Sequence, residues 1–201
     1  MAYSEFLNLK QVEKKLNLKT DRIRMFSGIA KPIIELTVFL KNDMLEAENT
    51  PLLSEKAKSE AVIAPILREV KRKHQSFNFF SGYTFDVDSG KSLTGICDFL
   101  LTLQPNAMDI KAPVFCLVEA KNRAIDEGFG QCAAEMYAAK LYNEQEGENI
   151  DVIYGCVTNA YDWCFMKLEN NVVYVDIDRY YLNRVDEIVG IMLHILEQYE
   201  K

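Results

Sequence analysis

Two hydrophobic periods alternate along this chain. From Ser54 to Lys73 the apolar residues Ala57, Ala61, Ile63, Ala64, Ile66, Leu67 and Val70 recur at helical spacing, with Ser54 placed to cap the first turn. Short apolar strands follow, around Tyr83 to Val87, from about Leu93 to Leu103, and from about Val114 to Ala120. Asp88-Ser89-Gly90-Lys91 reads as the turn between the first two, with Gly90 available for positive φ. Pro105-Asn106-Ala107-Met108 breaks the second strand. An alanine-rich helix is expected from about Gly128 to Tyr142, and a strand from Val152 to Val157. Trp163 to Leu168 and Val172 to Val175 read as a hairpin turning at Asn170-Asn171, and a last helix runs from about Val185 to Tyr199. Its stripe of Ile188, Ile191, Met192, Ile195 and Tyr199 reads as intramolecular core rather than a partner face.

The first 50 residues read as an N-terminal helical region. Leu9, Val12, Leu16 and Leu18 indicate one short helix. The run from Pro32 to Leu40 is either a second helix opened by proline or a strand, and periodicity does not decide between them. The whole predicts one α/β domain: an N-terminal helical extension (1–50), a core of helix, three-strand meander, helix and strand (54–168), and a C-terminal strand and helix (169–201).

The chemistry concentrates between residues 92 and 135. Asp98 sits in a mostly apolar strand, and Glu119 and Lys121 end the next one. Period-two geometry puts Glu119 and Lys121 on one face. Charges at the end of a buried strand are costly unless paired or bound to metal. Asp98 and Glu119 are therefore candidate ligands of a hard divalent ion, Mg2+ or Mn2+, with the carbonyl of Ala120 adding a ligand. Glu60, on the preceding helix, would complete the site directly or through water, although Glu55 and Glu69 are nearby alternatives. Lys121 would position a water or stabilise developing charge. Gln131, one helical turn before Glu135, would hydrogen-bond a phosphate or that water.

This ordered set resembles the PD-(D/E)XK nuclease superfamily, the restriction-endonuclease-like fold. The text Gly95-Ile96-Cys97-Asp98-Phe99, then Val118-Glu119-Ala120-Lys121-Asn122, then Gln131 before Tyr137-Ala138, is similar to the nuclease domain of type I restriction subunits. The resemblance covers roughly residues 54–168, and the family's proline before the aspartate is Cys97 here. It implies a restriction-endonuclease-like core and Mg2+-dependent hydrolysis of phosphodiesters. Asp98, Glu119, Lys121 and Gln131 would be catalytic, and Glu60, Asp98, Glu119 and Ala120 would hold metal. It also implies nucleic acid, DNA first, as partner, and a homodimer would suit duplex cleavage. The alternative is the same fold without catalysis, used as a binding or scaffold protein; a metal-binding hydrolase of another substrate is a third reading.

Composition sets bounds on these readings. The net charge of -7 argues mildly against nucleic acid, but it is uneven. Residues 1–75 carry 14 Lys+Arg against 10 Asp+Glu, whereas residues 76–201 carry 9 against 20. The stretch Arg68-Glu69-Val70-Lys71-Arg72-Lys73-His74 reads as a solvated helix end slightly ahead of a phosphate-contact strip. Five scattered cysteines in apolar surroundings read as reduced core residues. With no secretory signal at Met1 to Glu5 and no membrane-length apolar run, a cytoplasmic protein with no membrane partner is expected. His74, His194, Tyr83, Phe85, Tyr161 and Trp163 read as ordinary or packing residues.

Overall fold

The computed structural model describes residues 2–27 and 34–200. Local chemistry sets the helix starts. The Asn8 side chain accepts from the Gln11 backbone N–H and opens α1 (Leu9–Leu16), which buries Val12 and Leu16 and stops at Asn17 in the left-handed region. A strand, β1 (Lys19–Ile23), comes next. The region expected to be wholly helical therefore also supplies a sheet edge. Of the ambiguous apolar run, Pro32 and Ile33 lie outside the described residues. Residues 34–37 are irregular, and Thr37 caps α2 (Val38–Glu48).

Ser54 caps α3 (Glu55–Lys58) as expected, its hydroxyl accepting from Ala57 N. The helix then widens into one π turn, Ser59–Ile63, before α4 (Ala64–Lys73). Pro65 explains the widening. It has no N–H to give, and its ring crowds the carbonyl four residues back, so the preceding turn opens.

The meander is β2 (Asn78–Thr84), β3 (Ile96–Thr102) and β4 (Val114–Ala120). β2 lies earlier in the chain than its apolar pattern indicates. In the turn after it, positive φ falls on Ser92 and not on Gly90. Next come α5 (Phe129–Gln145), β5 (Val152–Thr158), β6 (Asp162–Glu169), β7 (Val172–Asp176), the two-residue β8 (Tyr180–Tyr181) and α6 (Val185–Glu197). Asn170 and Asn171 both take the left-handed conformation that a two-residue hairpin needs.

One mixed sheet runs in the order β1-β7-β6-β5-β4-β3-β2, with β8 on β6. The β4–β5 and β1–β7 pairs are parallel and the others antiparallel. Helices cover both faces, which makes an α/β protein of three layers. Phe99, Leu101, Phe115 and Val118 pack with α4 and α6, and Leu100 and Leu117 pack with α1 and α5. The stripe on α6 is internal, with Ile188 and Ile195 fully buried. All five cysteines are buried and free. Among the described residues no helix is long and apolar enough to cross a membrane.

The N-terminal segment locks onto the sheet and α5. The Tyr3 hydroxyl donates to Phe85 O at 2.6 Å, and a Cβ on Gly130 would sit 2.1 Å from the Phe6 carbonyl oxygen. Gly130→Ala must therefore displace backbone, and is expected to destabilise the protein by about 1–3 kcal/mol. Urea denaturation measures this, and an unchanged midpoint would refute the tight crossing.

Candidate active site

The site forms where β3 and β4 part. Their ladder runs from Thr102–Val114 to Phe99–Val118 and stops there, while β3 continues against β2. The Asp98 side chain replaces the missing rung: its Oδ2 accepts from Ala120 N at 2.7 Å. β4 leans instead on β5, and Lys121 N donates to Thr158 O at 2.8 Å. Alternation then settles the faces. Leu100 and Leu117 point to the α5 side, so Asp98 and Glu119, two residues from each, do the same.

Glu119 is 1% exposed. Its Oε1 receives the Lys121 ammonium at 2.5 Å, and its Oε2 has no hydrogen-bond partner. Lys121 Nζ also donates to Gln131 Oε1 at 3.2 Å, and Gln131 Nε2 donates to Glu135 Oε1 at 3.1 Å. Glu135 is fully buried, and its other oxygen is likewise unpartnered. A chain of contacts thus runs Glu119–Lys121–Gln131–Glu135 from β4 to α5. Gly128 lets the turn into α5 pass close to β5 and the lysine stem, since a Cβ there would sit 2.5 Å from Val157 Cγ1 and 3.2 Å from Lys121 Cγ and Cε.

Electrostatics follow from burying so many carboxyls together. Burial, then the Asp98 charge, push the Glu119 carboxyl up to about 8. Burial and the Glu119 charge push Glu135 well above the usual carboxylate range. Burial also raises Asp98, although the Ala120 N–H and the Lys121 charge pull it back. Burial works against the Lys121 charge, but Glu119 more than offsets this and leaves the ammonium above its ordinary value.

Asp98, Glu119, Ala120, Lys121 and Gln131 are thus brought together. Glu60 is not. It lies in the π turn, points into solvent and pairs with Lys56 at 3.9 Å. Glu55 approaches instead: its Oε1 accepts from Asn122 N at 3.0 Å, and its charge acts on both Asp98 and Lys121. Lys58, which the sequence does not single out, is buried and donates to the Asn122 carbonyl. Helix α3 thereby clamps the residue just past Lys121. Glu69 serves elsewhere, accepting from Thr37 N and Oγ1.

Among the described residues no three His, Cys, Asp or Glu side chains form a ready-made metal cage. Asp98 and Glu119 instead offer a pair of carboxyl groups, and the buried Glu119 Oε2, which no N–H of the protein reaches, is open to a cation once the group has lost its proton. Such a pair suits an ion that binds through one or two carboxylates and keeps several waters.

The basic run 68–74 is largely committed inside the protein. Lys71 donates to Phe77 O and Asn78 Oδ1, Lys73 donates to Glu35 O, and Arg72 pairs with Glu69 and lies over Phe39. His74 pairs with Glu200 and His194 with Glu197, both away from the acids described above.

Comparison with protein-family models, curated proteins and solved structures gives no match for this chain.

A carboxyl held high in the folded chain keeps a proton that the unfolded chain releases. The stability it contributes is complete below about 4.5 and is lost as pH rises through about 8. Glu119→Gln removes this titration. Thermal unfolding followed from about pH 5 to 9 should show the variant gaining on the wild type as pH rises; parallel curves would contradict the assigned environment.

Proposed function

We propose that this chain is a divalent-metal-dependent phosphodiester hydrolase acting on nucleic acid, DNA in the first instance, with a restriction-endonuclease-like core. The observation that carries the proposal is the convergence of Asp98, Glu119 and Lys121 where β3 and β4 part, with a buried carboxylate oxygen left without a donor. The order of α4, the β2–β4 meander, α5 and β5, with β5 parallel to β4, supports that core. So does Gln131, which reaches the lysine from α5.

In this reading Asp98 and Glu119 hold Mg2+ or Mn2+, and the Ala120 carbonyl is a further donor. When bound, such an ion lowers the pKa of a water and neutralises charge on phosphoryl oxygens. Lys121, fixed between Glu119 and Gln131, offers its remaining N–H and its charge to the phosphate as negative charge develops there. Glu55 and Lys58 hold Asn122, and with it the strand end that carries Lys121.

The second reading is the same fold binding a partner without catalysis. It is favoured by the net charge of -7 and by the lysine already seated on Glu119.

Purified protein with Mg2+ or Mn2+ should cut plasmid or linear DNA. Asp98→Ala and Lys121→Ala should each lower the rate by about 100-fold or more, and Glu60→Ala should leave it near the wild-type value. Cleavage that survives both of the first two substitutions rules out this mechanism. Absence of cleavage, together with no heat of Mn2+ binding by calorimetry, favours the binding module.

A further inference from the structure

We propose that Tyr161 is a stacking platform for an unpaired nucleobase, held beside the carboxylate cluster by a strained turn. The inference rests on the nucleic-acid reading above and adds to it the strand state of the substrate.

The place of Tyr161 near a strand start suggests packing, yet its side chain is not packed away. The residue is 50% exposed, while Trp163, two positions on, is fully buried. The turn that presents it, residues 159–161, joins β5 to β6. Ala160 sits there at φ 77°, a left-handed conformation that a residue with a Cβ rarely adopts.

A dense set of bonds holds this conformation. Thr158 Oγ1 accepts from Ala160 N at 2.9 Å. Asn159 Oδ1 accepts from both Tyr161 N at 3.0 Å and Asp162 N at 2.8 Å. The buried Trp163 indole donates to Ala160 O at 3.0 Å, and Leu182 N donates to Tyr161 O at 2.9 Å. The backbone is therefore fixed on several sides while the ring it carries is left half in water. Burying Ala160 and Trp163, both fully enclosed, fixes the backbone but does not require an exposed ring between them. Strain retained in a rigid turn around an exposed group is instead characteristic of a binding site.

Two contacts tie the turn to the strand end that carries Lys121. Asn159 Nδ2 donates to Arg123 O at 2.8 Å, two residues past Lys121. Lys58 Nζ lies 5.8 Å from the Tyr161 ring centroid and donates to the carbonyl of Asn122, which follows Lys121 directly. The buried Lys58 ammonium thus lies over one face of the ring, and the part of the ring left exposed is what a ligand can meet. An aromatic face offers stacking to any base, whatever its sequence. A base inside a duplex has no free face to offer, so the fitting occupant is an unpaired nucleotide.

The test uses the full chain without metal, which separates binding from cleavage. The probe is a fluorescein-labelled single-stranded oligodeoxynucleotide of about 12 nucleotides, read by anisotropy. Tyr161→Ala should weaken binding about 5- to 150-fold. Tyr161→Phe and Tyr161→Trp should retain it, and the indole of Tyr161→Trp should be quenched on binding. Phe39→Ala, which removes a ring 61% exposed elsewhere, should change nothing. Wild-type affinity in Tyr161→Ala, or no binding by the wild-type chain, overturns the proposal. Tyr161-dependent binding without metal-dependent cleavage would remove the hydrolase reading and leave the platform standing. Cleavage with Tyr161→Ala binding normally would do the reverse.

Discussion

Burying the Glu119 carboxyl under the Lys121 ammonium is the constraint around which this structure is arranged. The strand that carries it is buried along its whole length, so water cannot solvate the charge. A second acid, Asp98, faces the same side from the neighbouring strand, and a third, Glu135, comes down from α5. Gathering carboxyls in a low-dielectric layer is unfavourable, and one lysine with one glutamine compensates only in part. The remainder shows as two orphaned oxygens and raised proton affinities. A fold selected only for stability would place apolar side chains of similar size here. The surrounding architecture bears this local cost through its two apolar layers, one on each face of the sheet. α5 makes the close approach possible. Ala133, Ala134, Ala138 and Ala139 on the helix, and Gly155 on β5, let it lie near the strands, so that Gln131 and Glu135 reach the acids.

Much of this was legible in the sequence because the relevant signals are local. Val114 to Ala120 reads as a strand from its apolar run, and it is one. The Asn170-Asn171 hairpin follows from turn chemistry, and Ser54 caps its helix as its position suggests. Asp98, Glu119, Lys121 and Gln131 meet because strand alternation and helical spacing are short-range rules. The misses are features set by distant or cooperative effects. Lys19–Ile23 has three exposed residues and no apolar alternation, and it becomes a strand only by pairing in parallel with β7, some 150 residues away. Glu60 was placed by extrapolating a regular helix. The π turn ahead of Pro65 adds a residue to one turn, which rotates everything N-terminal to it by roughly 100°. Glu60, inside the π turn itself, faces solvent, and Glu55, N-terminal to the turn, is the acid that reaches Asn122. Composition did carry the decisive hint, since a proline ten residues past Glu55 cannot leave a straight helix undisturbed.

The charge distribution bears on how a polyanion would approach. The dense basic run is largely spent on the protein itself, with Arg68 left exposed: Lys71 ties the end of α4 to the start of β2, and Lys73 and Arg72 balance the buried Glu69. These bonds explain how a helix can end in three consecutive cations. Long-range attraction by the chain as a whole is weak at a net charge of -7. A nucleic acid bound in the proposed way would depend on short-range contacts near the acids, from the Lys121 ammonium and the exposed Tyr161 ring.

Topology explains why those groups share one edge of the sheet. β4 and β5 are parallel, so α5 must carry the chain back across the sheet between them, and both strands end on the same side. Ala120 is paired with Thr158 in that register. Whatever follows Ala120 therefore lies beside whatever follows Thr158. The first continuation is Lys121 with Asn122, and the second is the strained turn bearing Tyr161. In open parallel sheets ligands gather at the carboxyl ends of strands for this reason. On β3, which runs the other way, the group at that same edge belongs to the strand's beginning, and Asp98 is the third residue of that strand. One parallel pair flanked by one antiparallel neighbour is thus enough to bring an acid from a strand start, an acid and an amine from a strand end, and an aromatic ring from a turn to a common border.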